Sequence, residues 1–219
     1  MTEQNGLVKS NPRFQIKKTG IAARLHAAEQ AKPEPKAMPN RIGIVMDDSG
    51  SMSGEPISQA HKAIETFVNN SNSFDTSLAL YPLNEREHPL NNDLCAIAIA
   101  AKGIPATGGT PLYSKLVQLI NNEPITRAIA FSDGMPNGEP ESKTECFRLY
   151  CERHIPIDTV YIGSGENREL QELAERTGGI YMHFTNLQAF AKSFKYLTPG
   201  YRAMLTDGSF REKVQRGEV

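Results

Sequence analysis

Five oxygen-bearing side chains stand at three separated points of the chain, and their types suit a hard divalent cation. Asp47, Ser49 and Ser51 fall within one pentapeptide, whereas Thr110 follows a Gly-Gly pair and Asp133 precedes a glycine. Carboxylate and hydroxyl oxygens are the donors that Mg²⁺, Mn²⁺ and Ca²⁺ prefer, whereas Zn²⁺ and copper sites draw on nitrogen and sulfur. The residue types therefore predict an all-oxygen metal site, provided that the fold brings the three points together.

The charge of this donor set predicts how the bound ion behaves. The two carboxylates, Asp47 and Asp133, only neutralise a divalent ion, and hydroxyl groups add no charge. If Asp133 reaches the ion through a water molecule, the metal stays electrophilic and accepts a carboxylate from another molecule. We therefore expect a site at which an acidic side chain of a partner protein docks.

Each of the three segments has a simpler explanation when it is taken alone. Asp-x-Ser-x-Ser after a strand can form an Asx turn or a helix cap. The Gly-Gly-Thr-Pro sequence at 108–111 can be a turn and a helix N-terminus, and Asp-Gly at 133–134 can be an ordinary turn. Their order, each at the end of a predicted strand or the start of a predicted helix, favours the metal site.

The elements that must position these residues follow from apolar periodicity. Short continuous apolar runs predict buried strands, and apolar residues at helical spacing predict helices. The segment 94–102 fits either a strand or a helix, and its alanines with the nearby Gly103 and Pro105 favour a helix. The other predicted strands are Ile42–Met46, Ser77–Tyr81, Glu85–Leu90 at an edge, Arg127–Ser132, Ile155–Ile162 and Ile180–Phe184; the other helices are Pro56–Asn69, Pro111–Asn121, Ser142–His154, Asn167–Thr177 and Leu187–Leu197.

This alternation predicts an α/β fold with a Rossmann-like, doubly wound and mostly parallel sheet. One antiparallel strand lies at its edge, and helices cover both faces. In such folds ligands bind beyond the carboxyl ends of the strands, where the strand order reverses. We expect a domain over residues 41–198, a basic, proline-containing tail and linker over 1–40 with a short helix near 21–30, and a polar C-terminal tail of undetermined order over 199–219.

Composition narrows the possible partners and location. The 219 residues carry a net charge of -1, which gives no general attraction to nucleic acid or to anionic membranes. No apolar run reaches the length of a membrane span, and the first ten residues lack the apolar stretch of a signal peptide. Three cysteines do not suggest a disulfide framework. We predict a cytoplasmic protein without a membrane partner, and the net charge argues against nucleic-acid binding by the basic tail.

The pattern resembles the metal-ion-dependent adhesion site of von Willebrand factor A-type (vWA) domains, and the resemblance spans residues 41–197. Residues 51–57 also resemble stand-alone bacterial vWA proteins found with tellurite-resistance or MoxR-type AAA+ genes. The resemblance implies a bacterial or phage interaction module that binds Mg²⁺, or Mn²⁺ or Ca²⁺, with an AAA+ ATPase among the candidate partners. The residues that match the family's site are Asp47, Ser49, Ser51, Thr110 and Asp133.

By the same resemblance, Asp47, Ser49 and Ser51 touch the ion or its waters, and Asp133 acts through water. Thr110 binds directly once a ligand engages the ion. Asp48 occupies the variable position of the motif, and we expect its side chain to point to solvent. In many family members a C-terminal helix shifts when the ligand binds, and the resemblance implies that the helix at 187–197 is its counterpart here.

Enzymatic alternatives match the sequence less well, and we predict no catalytic function. A haloacid-dehalogenase phosphatase needs a second Asp where Ser49 stands, and a Gly-x-Ser-x-Gly elbow needs Ser where Met52 stands. A metal-dependent hydrolase needs a base near the ion, and the rim offers only Asp48 and Glu55. A structural subunit of a larger assembly, in which the ion only stabilises the fold, is the non-enzymatic alternative.

Overall fold

Six strands form one sheet, and seven α-helices and three short 3₁₀ segments surround it in the computed structural model, which describes residues 39–219. The predicted tail and its helix near 21–30 lie outside these residues, apart from Pro39 and Asn40. The strands are β1 Asn40–Met46, β2 Thr76–Pro82, β3 His88–Asn91, β4 Arg127–Ser132, β5 Ile157–Ile162 and β6 Tyr181–Phe184; the helices are α1 Glu55–Asn69, α2 Leu94–Lys102, α3 Leu112–Asn122, α4 Pro140–Glu152, α5 Arg168–Thr177, α6 Leu187–Ser193 and α7 Gly208–Arg216.

The strand order is β3-β2-β1-β4-β5-β6, and β3 is the single antiparallel strand among them. This confirms the predicted fold class, including the antiparallel edge strand. From β1 the chain builds outward through β2 and β3, and then returns to add β4 on the other side of β1. The order therefore reverses between β1 and β4, so ligands are expected beyond the carboxyl ends of these two strands.

Alternate residues of the strands pack into separate cores on the two faces of the sheet. In β1, Ile44 and Met46 belong to the core beneath α1, α2, α6 and α7, whereas Val45 belongs to the core beneath α3, α4 and α5. Each large apolar side chain that is fully buried stabilises the folded state by roughly 1.5–3 kcal/mol. Helix α3 packs so closely that a Cβ atom at Gly43 would lie 2.4 Å from Leu119. The central strand that carries the candidate site is thus held from both sides.

The C-terminal part of the chain is more ordered and more divided than the sequence indicates. The helix predicted over 187–197 is α6 followed by a 3₁₀ segment, Phe194–Leu197. Residues 202–206 form a further 3₁₀ segment, and α7 follows it. Leu205 and Val214 are fully buried in the core, so this segment packs on the sheet. The domain limits predicted above remain predictions.

A buried ion-pair network joins this C-terminal segment to the amino ends of β4 and β5. Asp158 is fully buried and accepts hydrogen bonds from Arg127 Nη1 at 3.0 Å and from Arg202 Nε and Nη2, each at 2.7 Å. Arg127 Nη2 also donates to the carbonyl of Leu197 at 2.6 Å. A buried carboxylate needs such partners because desolvation otherwise disfavours its charge. The network lies at the opposite edge of the sheet from the candidate site.

Candidate metal site at the carboxyl edge of the sheet

The site is formed where the segments after β1 and β4 meet the loop before α3. Backbone hydrogen bonds join the first segment to that loop, from Gly50 N to Gly108 O at 3.1 Å and from Thr107 N to Asp48 O at 2.6 Å. Parallel strands end at the same edge of a sheet, which explains why positions far apart in sequence become neighbours.

Four of the five predicted residues form one hydrogen-bonded series, the oxygen chain, whose first link runs from Asp47 to the backbone nitrogen of Ser49. Asp47 is fully buried, and its Oδ1 accepts from Ser49 N at 2.8 Å. The hydroxyl oxygens of Ser49 and Ser51 are 3.0 Å apart, and Ser51 Oγ donates to Asp133 Oδ1 at 2.8 Å. The structure therefore brings the ends of β1 and β4 together through their side chains.

Thr110 is placed beside this chain through its backbone. Its carbonyl accepts from Asn137 N at 2.9 Å, which joins the loop before α3 to the segment after β4. Its side chain is 8% exposed, and within residues 39–219 it makes no direct hydrogen bond to the four other predicted residues. The fold thus positions the Thr110 loop at the site without drawing its hydroxyl into the oxygen chain.

Ser132 is a member of the site that the sequence analysis missed. It is the last residue of β4, it is fully buried, and its hydroxyl donates to Asp47 Oδ2. Gly134 N in turn donates to Ser132 Oγ at 3.1 Å, which shapes the turn that presents Asp133. Its position directly before Asp133, at the end of a predicted strand, was the available signal.

Asp48 does not point to solvent, and that expectation was wrong. Its side chain is fully buried and accepts from Asn84 N at 2.9 Å, Asn84 Nδ2 at 3.0 Å and Glu85 N at 3.1 Å. Burial raises the pKa of Asp48, and the hydrogen bonds from Asn84 act against that rise. Asp48 therefore fastens the segment after β2 to the site.

The Asn84 side chain also forms hydrogen bonds with the loop that carries Thr110. Its Nδ2 donates to Gly109 O at 2.9 Å, and its Oδ1 accepts from Gly109 N at 3.2 Å. Gly108 has φ +76°, and a Cβ atom there would lie 2.3 Å from Asn84 Oδ1. Glycine is needed at 108 both for this left-handed backbone and for the close approach of Asn84.

Comparison with known proteins assigns the family. A sequence profile of the von Willebrand factor type A domain matches residues 40–183. The chain belongs to the vWA domain family. No match was found among curated protein sequences.

Solved structures show the same fold at low sequence identity. A von Willebrand factor type A protein from Catenulispora acidiphila aligns with a TM-score of 0.63 and 19% identity, covering 73% of this chain and 42% of its own. Proximal thread matrix protein 1 from the mussel byssus aligns with a TM-score of 0.59 and 17% identity, covering 72% of this chain and 45% of its own. The SpRpn10 VWA domain aligns with a TM-score of 0.52 and 15% identity, covering 74% of this chain and 96% of its own. This chain thus spans less than half of the first two proteins.

vWA domains are generally protein-interaction modules. In this chain, the charges around Asp47 and Asp133 are compatible with a divalent cation. Burial raises the pKa of Asp133, and the hydrogen bond from Ser51 acts against that rise. In residues 39–219 no ion pair involves Asp47 or Asp133. No group of three or more Asp, Glu, His or Cys side chains is placed to hold a metal in these residues, so a metal at this site would depend on the hydroxyl groups as well as on the two carboxylates. Two converging carboxylates without a basic partner, surrounded by hydroxyls, match the all-oxygen donor set that Mg²⁺ accepts.

Within residues 39–219, no helix combines the length and the hydrophobicity that crossing a bilayer requires.

Proposed function

We propose that this vWA domain binds one divalent cation, Mg²⁺ or alternatively Mn²⁺ or Ca²⁺, and through it an acidic side chain of another protein in the cytoplasm. The observation that carries the proposal is the series of hydrogen bonds that runs from Asp47 to the backbone nitrogen of Ser49, and from the Ser49 hydroxyl through Ser51 to Asp133. Thr110 completes the set of ligands. A bound divalent ion would supply a positive centre that attracts a carboxylate.

The residues of the site have distinct tasks in this proposal. Asp47 offers the more enclosed carboxylate, which Ser132 and the backbone of Ser49 hold in one orientation. Ser49 and Ser51 offer neutral oxygens, so they fill coordination positions without lowering the attraction for an incoming anion. Asp133 is half-buried and lies at the open side. Asp48 and Asn84 are positioning residues, because they fasten the loops that carry the ligands.

The hydrogen bonds that the Asp48 carboxylate accepts argue against a catalytic role for this site. The sequence offered Asp48 and Glu55 as the only bases near the ion. Asp48 is committed to Asn84 and Glu85, and Glu55 Oε1 accepts from Gln188 Nε2 at 2.7 Å on an exposed surface. A general base must be free to reach the proton that it abstracts. We therefore retain the prediction of a binding module rather than a hydrolase.

The test compares two serines that stand two positions apart. Ser51 lies in the oxygen chain, whereas Ser53 is exposed and outside it. Calorimetric titration with Mg²⁺ should show an affinity loss of at least about tenfold in Ser51→Ala and no change in Ser53→Ala. Binding of an immobilised peptide with one Asp should require Mg²⁺, disappear with EDTA, and be absent for the Asn counterpart of that peptide.

The possible results separate the proposal from its alternatives. Equal Mg²⁺ affinity in Ser51→Ala and Ser53→Ala would contradict the proposed metal site. Mg²⁺ binding that raises the melting temperature, without any preference for the Asp peptide, would favour a structural subunit in a larger assembly. The same Mg²⁺-dependent assay, with a MoxR-type AAA+ ATPase in place of the peptide, tests the specific partner that the resemblance suggests.

A further inference from the structure

A groove of about 410 Å³ opens directly beside the candidate metal site. Its walls come from the start of α1, the segment after β5 and the segment before α6, and Asp133 forms part of its edge. Pro56 and Leu187 are half-buried side chains on its sides, and Ile162 is buried at its floor. Asp133 belongs to both features, so the groove and the proposed metal site form one continuous surface.

Hydrogen bonds hold the groove open in a defined shape. Gly163 N donates to Phe184 O at 2.9 Å, and the ring nitrogen Nε2 of His183 is 2.7 Å from Gly163 O. The hydroxyl of Tyr161 donates to Ser164 O at 3.2 Å, and its ring stacks on His183 with centroids 5.1 Å apart. The walls therefore exist before any ligand arrives, which lowers the entropic cost of binding.

The chemistry of the lining defines what fits inside. Among its described residues, Asp133 is the only charged one, and none is Lys, Arg or His. With a divalent ion at the rim, the charges of Asp47 and Asp133 are balanced. A second acidic residue of a partner would then find no cation in the groove. A branched aliphatic side chain would instead remove apolar surface of Pro56 and Leu187 from water.

The loop after Asp133 exposes one large apolar side chain. Met135 is 60% exposed, although a methionine of this size is usually buried.

We propose that the partner segment carries an aliphatic residue such as Leu next to the acidic residue that reaches the ion, and that this aliphatic side chain occupies the groove. The inference rests on the proposed function, because the acidic residue places its neighbour at the groove. The ion provides attraction for any accessible carboxylate, and the groove provides the preference among such segments. Partial burial of one Leu in an open groove corresponds to an affinity gain of about tenfold, or about 1.4 kcal/mol.

The experiment uses four fluorescent hexapeptides and the full chain in Mg²⁺. One peptide has a single Asp among alanines, one has Leu directly before the Asp, one has Leu directly after it, and one has Lys after it. We expect one of the two Leu peptides to bind about tenfold more tightly than the alanine peptide, as measured by fluorescence polarisation. All binding should disappear in EDTA, and in Ser51→Ala it should require at least about tenfold more Mg²⁺.

A matched pair of arginine substitutions tests the groove itself. Thr185 is exposed and lines the groove, whereas Thr144 is exposed and lines a different surface depression on α4. Thr185→Arg should reduce the preference for Leu, expressed as the ratio of the affinities for the Leu and alanine peptides, to less than about twofold. This ratio cancels any effect of the added charge on Mg²⁺ binding, because that effect acts on both peptides alike. Thr144→Arg should behave as the unmodified protein. Ser164→Arg, at a second exposed groove position, provides the same test should Thr185→Arg fail to fold.

The outcomes keep this inference distinct from the proposed function. Equal, Mg²⁺-dependent binding of the Asp peptides with alanine and Leu neighbours would overturn the groove and leave the metal-dependent docking intact. A preference for the Lys peptide would also overturn it, because the groove would then act through the charge of Asp133. Failure of every peptide to bind would overturn both proposals.

Discussion

Asn84 Nδ2 donates to the buried carboxylate of Asp48 at 3.0 Å, and the same amide group donates to Gly109 O at 2.9 Å. One side chain thus connects the segment after β1, the segment after β2 and the loop before α3. A binding site on loops needs such support, because ligand groups must be held close to their working geometry. The support here is made of polar contacts between distant parts of the chain.

Asn84→Ala should weaken both the fold and the proposed metal site. The substitution removes the side-chain hydrogen bond to Asp48, a contact to a charged acceptor, and should lower the free energy of unfolding by about 2 kcal/mol. Mg²⁺ affinity should fall by about tenfold, since the loop that carries Thr110 loses the hydrogen bonds between Asn84 and Gly109. Urea unfolding and calorimetric titration measure the two effects.

Asn70→Ala is the control for this prediction. Its exposed Nδ2 makes one hydrogen bond, to Thr66 O at 2.8 Å at the end of α1. The free energy of unfolding should change by less than about 0.5 kcal/mol, with Mg²⁺ affinity unchanged. Equal losses in the two variants would show that the Asn84 contacts have no special role.

Arg202→Met should loosen the attachment of the C-terminal segment to the sheet. The change removes two hydrogen bonds of 2.7 Å to Asp158, but Arg127 still pairs with that carboxylate. We therefore expect a loss of about 2 kcal/mol, less than the cost of leaving a buried charge fully unpaired. Hydrogen exchange should accelerate in α7 ahead of β4.

The matched control for Arg202 is Arg168, whose side chain is 90% exposed and lies 3.7 Å from an exposed Glu166. Arg168→Met should cost less than about 0.5 kcal/mol, because exposed ion pairs contribute little. Unchanged exchange of α7 in Arg202→Met would contradict the view that this ion pair anchors the C-terminal segment.

The order and type of the elements could be predicted from the sequence because burial imposes clear periodicity. The apolar run of β4 gave its observed limits, Arg127–Ser132, and the alanine-rich α2 gave Leu94–Lys102. The start of β5 was placed two residues early. His154 adopts φ +53° in the turn after α4, so the apolar Ile155 that follows it belongs to the connection between α4 and β5 rather than to the strand.

The site could be predicted only in part, because its support is non-local. The spacing of Asp47, Ser49 and Ser51 indicated side chains on one rim, and three hydrogen bonds there join these residues to one another and to Asp133. The burial of Asp48 depends on Asn84, which lies 36 residues away, and no local pattern reports such a contact. Asp48 therefore resembled an exposed motif residue.

The three cysteines should differ sharply in reactivity. Cys95 and Cys151 are exposed, whereas Cys146 is fully buried and burial raises the pKa of its thiol. Because the thiolate is the reacting form, Cys146 should stay unreactive at pH 8 in the native protein. Titration with a thiol reagent should count two groups in buffer and three in guanidinium chloride.

Serine variants assign the counts in this titration. Cys95→Ser and Cys151→Ser should each lower the native count from two to one, whereas Cys146→Ser should leave it at two. A native count of three with all cysteines present would mean that the region around α4 opens readily, contrary to the packing described above.

Gly179→Ala should be among the most destabilising single-methyl changes in the chain, because the connection from α5 to β6 passes against β5. A Cβ atom at 179 would lie 1.9 Å from the backbone oxygen of Ile157, an overlap that only backbone movement can relieve. We expect a loss of about 3 kcal/mol in the free energy of unfolding, measured by urea denaturation. Gly200→Ala, where a Cβ atom meets nothing within 4 Å, should change it by less than about 0.5 kcal/mol. Similar urea midpoints for the two variants would contradict the close approach of this connection to β5.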